Sequence, residues 1–146
     1  MGKLTVIVLV VLIAGPCWSW TGECVEVIDG DSIRVMHDGK KVKVRLLGMG
    51  CPELGKPYGE EARQFTYDLV FGKEVEVVPT GKSWYGETLA VVLVDGRNLN
   101  QALVCAGLAC WLRKHAPADD GLENCQMQAR QARIGVWSLP SPSCRQ

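Results

Sequence analysis

The chain has 146 residues, 47% of them hydrophobic, and a formal net charge of zero. That length suits one domain and leaves little room for a second. A balanced charge argues against the strongly basic domains that hold nucleic acid tightly and without preference.

The first residues read as a leader rather than as part of the domain. Lys3 is followed by an apolar run from Leu4 to Ala14 broken only by Thr5, too short to span a bilayer and suited to the apolar region of a secretory signal. Small residues at Cys17 and Ser19 place cleavage after Ser19, so residues 1–19 are expected to be a signal peptide. Its removal takes one lysine and no acid, leaving Lys+Arg 15 against Asp+Glu 16, a net charge of −1. Export is therefore expected, to the periplasm or the medium, with no stable membrane insertion once the leader is gone.

Strands come next. Val25, Val27, Ile33, Val35, Val42 and Val44 recur at alternate positions with polar residues between them. The segments from Asp31 to His37 and from Lys40 to Leu47 flank Asp38-Gly39, a tight-hairpin signal. Pairing about that turn sets residues whose numbers sum to about 77 opposite one another, which brings Asp31 close to Arg45 or Leu46. Lys73 to Val78 and Thr88 to Val94 add two valine-rich strands, the second ending at Asp95-Gly96.

Helices interrupt and follow them. Ala62, Phe65, Leu69 and Val70 share a face between Gly59 and Phe71; Leu99, Ala102, Leu103 and Ala106 share one between Asn98 and Ala106. Leu122, Cys125, Ala129 and Ala132 do so between Asp119 and Arg133, with Asp119 or Asp120 as the cap. These stripes are expected to be core faces. The fold class is then α+β, mainly β: a five-stranded barrel of the OB type capped by three helices. Residues 139–146, rich in Pro and Ser, are expected to form a flexible tail after a domain spanning 20–138.

Beyond the leader stand Cys24, Cys51, Cys105, Cys110, Cys125 and Cys144. An even count in an exported chain points to disulfides, but six cysteines allow fifteen complete pairings and the sequence does not choose among them. Cys51 reads as a packed thiol or a half-cystine. No cysteine or histidine spacing suits structural zinc.

Three ionisable residues lie at strand ends: Asp31 opens the second strand, Arg45 nearly closes the third, and Glu53 follows in the next loop. Such a set suits phosphodiester hydrolysis. One carboxylate holds a hard cation, another activates water, and a guanidinium steadies phosphoryl oxygens. It equally suits a turn cap, a structural ion pair and a surface glutamate.

Short strings in order resolve that choice. Val27-Ile28-Asp29-Gly30-Asp31-Ser32, Arg45-Leu46-Leu47-Gly48 and Cys51-Pro52-Glu53 resemble the signature of the staphylococcal nuclease (thermonuclease) family. So do Tyr58-Gly59-Glu60-Glu61-Ala62, Tyr85-Gly86, Leu89-Ala90, Asp95-Gly96-Arg97-Asn98-Leu99-Asn100 and Gly135-Val136-Trp137-Ser138. The resemblance implies a five-stranded barrel with three helices and a calcium-dependent nuclease cutting DNA and RNA. It implies that Asp31 is the principal Ca2+ carboxylate, that the Cys51 backbone carbonyl helps hold the ion, and that Arg45 contacts phosphate. Glu53 matches the glutamate that orients or deprotonates water, and Tyr85 a phosphate-contacting tyrosine. Trp84, just before it in a site-facing loop, is a candidate for stacking a base.

Two positions depart from the family pattern. Gly50 stands where active members carry the second calcium aspartate, and Glu87 where they carry an arginine beside the transferring phosphoryl group. Loss of one preorganised donor costs about 2.7–4 kcal/mol in barrier, and reversing its charge should cost more. The expectation is an exported, monomeric nuclease-family protein with impaired hydrolysis. The alternative is a module that binds nucleic acid or a protein partner without cutting.

Overall fold

The computed structural model describes residues 18–82, 85–142 and 144. The residues expected to form most of the leader therefore lie outside it, as does Trp84. Eight strands are present: β1 (Trp20–Asp29), β2 (Ser32–His37), β3 (Lys40–Leu46), β4 (Met49–Gly50), β5 (Glu74–Lys82), β6 (Thr88–Val94), β7 (Arg97–Asn98) and β8 (Cys110–Trp111). The helices are α1 (Gly59–Val70), α2 (Leu99–Cys105) and α3 (Asp120–Ala132), followed by a single 3-10 turn, Gly135–Ser138.

The five long strands close on themselves. The order is β3-β2-β1-β5-β6, and a parallel pairing of β3 with β6 completes the ring. Closure removes the unpaired edges an open sheet would expose. Within the β2–β3 hairpin, Ser32 faces Arg45, Ile33 faces Val44 and Arg34 faces Lys43, so every pair sums to 77. Asp38 (φ 48°) and Gly39 (φ 74°) both adopt the left-handed conformation that a two-residue hairpin of this kind requires. Asp95 and Gly96 repeat it at the end of β6.

Alternation along the strands fills the barrel. Val27, Ile33, Val35, Val44, Leu46, Val75, Val77 and Val92 are all buried, and β-branched side chains suit this pleated, enclosed surface. The helices cover one end. Leu99, Leu103, Leu122 and Val70 join the same core, and Asp119 caps α3 by accepting a hydrogen bond from Leu122 N at 2.9 Å.

Some faces are rotated from the sequence reading. On α1, Ala62 and Val70 are buried as expected, but Thr66 takes the central place and Phe65 and Leu69 are only partly covered. Thr66 is tolerated there because its hydroxyl donates to Gly30 O at 2.7 Å. On α2, Asn100 and Val104 are buried rather than Ala102 and Ala106. The Asn100 side chain accepts from Val92 N (3.1 Å) and donates to Leu47 O (3.0 Å) and Ala90 O (3.2 Å), lashing the helix to the barrel. Ala132, at the frayed end of α3, is exposed.

Two disulfides tie the helical end, Cys105–Cys125 between α2 and α3 and Cys110–Cys144 between β8 and the tail. The segment 139–146 is thus anchored at Cys144. Cys24 and Cys51 are buried thiols, and burial pushes the Cys24 thiol up to about 11.

Candidate active site at the barrel mouth

The site begins at the turn between β1 and β2. Asp29 Oδ1 accepts from the Asp31 backbone N–H at 3.1 Å, which fixes the turn, and Gly30 lets it press against α1 and the following loop. A Cβ at Gly30 would sit 2.7 Å from Cys51 Sγ and 2.8 Å from Ala62 Cβ, so only glycine fits. The packing carries Asp31 inward, to 1% exposure.

The Asp31 carboxylate is held from two sides. Its Oδ2 accepts from the Cys51 backbone N–H at 3.0 Å and stands 3.9 Å from Arg45 Nη2. Strand pairing explains the second contact, since Arg45 lies opposite Ser32, the residue after Asp31. Burial nevertheless pushes the Asp31 carboxyl up to about 6, with the neighbouring Asp29 carboxyl adding to the rise, against the lowering influence of the Cys51 amide and Arg45. Shifted carboxyls of this kind cluster at functional sites, and structural ion pairs perturb acids in the same way.

The other expected residues are placed as follows. Glu53 is exposed in the loop after Pro52, and its backbone carbonyl accepts from Lys56 N at 3.0 Å. Tyr85 is 91% exposed on the loop before β6. Gly50 is buried in extended β4, where its partner is Cys110 of β8. An extended residue has no conformational need for glycine, so the missing side chain at position 50 is not a demand of the backbone.

Glu87 is the informative position. Its carboxylate is largely covered, at 11% side-chain exposure, and forms an ion pair with Lys43. The β3–β6 pairing brings them together, because Val44 lies opposite Thr88. Lys43 in turn lies opposite Arg34, and Arg34 Nη1 pairs with Glu26 Oε2 at 2.5 Å across β1 and β2. Four charges, Glu26, Arg34, Lys43 and Glu87, cross the outer face of the barrel in a row that sums to zero. Glu87 thus adds an anion to this face and also occupies a lysine two residues from Arg45 on the same side of β3.

Sequence reading missed two members of this arrangement. Asp29 was legible only as a turn residue, although its spacing around Gly30 could have marked it as the second acid. The Lys43–Glu87 pair follows from the barrel-closing parallel contact, which no local pattern announces.

A calcium ion takes six to eight oxygens. Asp29 and Asp31 supply two neighbouring carboxyls, Gly50 supplies no side-chain oxygen, and among the described residues no group of three His, Cys, Asp or Glu is placed to hold a metal. The described side chains alone fall short of that number.

A closed five-stranded barrel with three helices, carrying an acid–arginine pair at the mouth, defines an OB-type domain built like a small nuclease. The sequence profile described as "Staphylococcal nuclease homologue" matches residues 43–139, and the chain belongs to that family. It is 37% identical over 142 residues to the protein ParB of Escherichia coli, covering 90% of this chain and 80% of that one. It is 33% identical to a micrococcal nuclease of Shigella flexneri over 144 residues, covering 91% and 83% of the two chains. It is 34% identical to a thermonuclease of Staphylococcus hyicus over 128 residues, covering 81% and 76%. Hydrolysis of nucleic acid is the activity of this family.

Proposed function

We propose that this protein is an exported member of the nuclease family that engages DNA or RNA at the barrel mouth and hydrolyses it slowly. Arg45 holds a phosphate, Glu53 orients or deprotonates the attacking water, and Tyr85 and Trp84 contact the strand. Asp31 and the Cys51 carbonyl are the groups that would hold the family's Ca2+. When bound, that ion supplies a cation to polarise the phosphate. The residues present here hold it weakly or not at all, because Gly50 withdraws a carboxylate.

The observation that carries the reading is the Lys43–Glu87 pair beside Arg45. A phosphoryl group gaining negative charge needs preorganised cations around it, and one missing donor costs about 2.7–4 kcal/mol, or 10²–10³ in rate. Here the donor is replaced by an anion, which also neutralises a nearby lysine. Arg45, the cation proposed to hold the phosphate, is itself shared with Asp31.

The test restores both positions. Gly50→Asp with Glu87→Arg should raise calcium-dependent cleavage of single-stranded DNA by at least about 10²-fold over the unaltered protein. No gain in a folded double variant would mean that these positions do not have the proposed roles. A second reading, that the protein binds a strand or a protein partner without cutting, rests on the same deficit. It is favoured if strand binding persists with no cleavage at any calcium concentration.

A further inference from the structure

Beyond the barrel mouth lies a cleft of about 690 Å³ between β8, α3 and the tail. One wall is aromatic, formed by Trp111 and Trp137. The rim carries two cations, Arg113 and Lys114, on the turn after β8, followed by His115. None of the described lining residues is acidic. The Cys110–Cys144 disulfide forms the floor and fixes the tail against β8.

Three features make this cleft more than a gap under a tail. Guanidinium groups lie over both indoles, Arg113 at 5.8 Å from the Trp111 ring and Arg130 at 5.1 Å from Trp137, and such pairs present flat, cationic surfaces to a base and its phosphate. The Trp137 indole N–H is buried and finds no acceptor among the described residues. The β8 wall of the cleft is also hydrogen-bonded to β4, the strand that leads into the Asp31 site. Cys110 pairs with Gly50, the next residue is Cys51, and the Cys51 amide holds Asp31.

We propose that this cleft is a second nucleic-acid subsite, which takes a single-stranded segment by stacking its bases on the indole–guanidinium walls and pairing its phosphates with Arg113 and Lys114. The volume suits about one or two nucleotides. Single strands are favoured over duplex because only unstacked bases can enter between aromatic walls. The inference rests on nucleic acid being the ligand of this protein, and does not depend on cleavage.

The site is built on well-fixed elements. Gln126 Oε1 accepts from Trp111 N at 2.9 Å, joining α3 to β8, and the Trp111 indole N–H donates to Ala116 O at 2.9 Å. Reversing the charge of the exposed Arg113 and Lys114 removes a guanidinium and an ammonium but leaves the indoles and these backbone anchors in place.

The experiment is a fluorescence-anisotropy titration of the protein with a labelled oligothymidylate in excess chelator, so that cleavage plays no part. Arg113→Glu with Lys114→Glu should weaken binding about tenfold or more, and lower the slope of log K against log salt by about 1.4, the value for two single-strand phosphates. A control reversal at the exposed hairpin lysines, Lys40→Glu with Lys41→Glu, should leave binding within about twofold, because those side chains lie away from the cleft. Equal losses from the two reversals, or no loss from the first, would overturn the proposal. Binding of phosphatidylglycerol vesicles that depends on Arg113 and Lys114, with no oligothymidylate binding, would assign the cleft to a membrane surface and also overturn it. If the cleft binds DNA but the Gly50→Asp, Glu87→Arg variant fails to cut, the slow-hydrolase reading falls and this subsite stands.

Discussion

Replacing Asp31 with asparagine is expected to stabilise the protein at neutral pH while removing its central acid. The Asp31 carboxyl is buried and titrates near 6 in the folded protein, against an ordinary value of 3.8. The sign follows from proton counting. Between about pH 4 and 6 the folded state holds more protons at this group than the unfolded state, so stability falls as pH rises through that window and is flat above it. A shift of about two units corresponds to roughly 3 kcal/mol of penalty for the ionised form at pH 7.5, and about half of that at pH 5. Asparagine keeps an oxygen that accepts from Cys51 N. It gives up the pairing with Arg45, which at 3.9 Å and 23% side-chain exposure of the arginine is worth no more than about 1 kcal/mol. Since the lowering influence of Arg45 is already contained in that shift, the net gain is about 2–3 kcal/mol at pH 7.5, shrinking toward acid. Urea unfolding of both proteins in chelator, at pH 5 and pH 7.5, measures it. An Asp31→Asn protein no more stable than the parent at pH 7.5, or a difference that does not change with pH, would refute the reasoning.

Other expectations can be checked by the same means. Glu87→Arg should change the melting free energy by less than about 1 kcal/mol, since Lys43 is 40% exposed and solvent screens the lost pair, so its effect should be read in catalysis and not in Tm. Asn100→Ala should cost about 3 kcal/mol by denaturant unfolding, because it leaves Val92 N–H and the Leu47 and Ala90 carbonyls without their partner. Reduction of Cys105–Cys125, which closes a 20-residue separation, should cost about 3 kcal/mol, measured by unfolding with Cys110 and Cys144 replaced by serine.

Most of the barrel was legible because its signals are local. Asp38-Gly39 sets a two-residue turn, and the turn sets the whole register of β2 and β3, including Ser32 opposite Arg45. Valine alternation gave most inward faces, although at Val25 the irregularity between Cys24 and Glu26 turns Cys24 inward instead, and helix periodicity located all three helices to within a residue or so of their observed ends. The faces were less secure where a polar side chain is buried. Thr66 and Asn100 sit in the core because Gly30 O, Val92 N, Leu47 O and Ala90 O await them, and those partners are 8 to 53 residues away. The site divides in the same way. Asp31 and Arg45 belong to one hairpin and were readable. The ion pair of Lys43 with Glu87 depends on closure of the barrel through β3 and β6, a contact between residues 44 apart that leaves no periodic trace. Disulfide pairing was unreadable for the same reason, and it is the packing of α2 on α3 and of the tail on β8 that selects it.

The central claim, that a nuclease-family site has lost most of its hydrolytic power through Gly50 and Glu87, is tested most directly by turnover. The protein and the Staphylococcus hyicus thermonuclease should be compared on one single-stranded DNA, at saturating calcium and in chelator. The account predicts a calcium-dependent rate at least about 10²-fold below that of the relative. Cleavage at a comparable rate, abolished by the chelator, would contradict it.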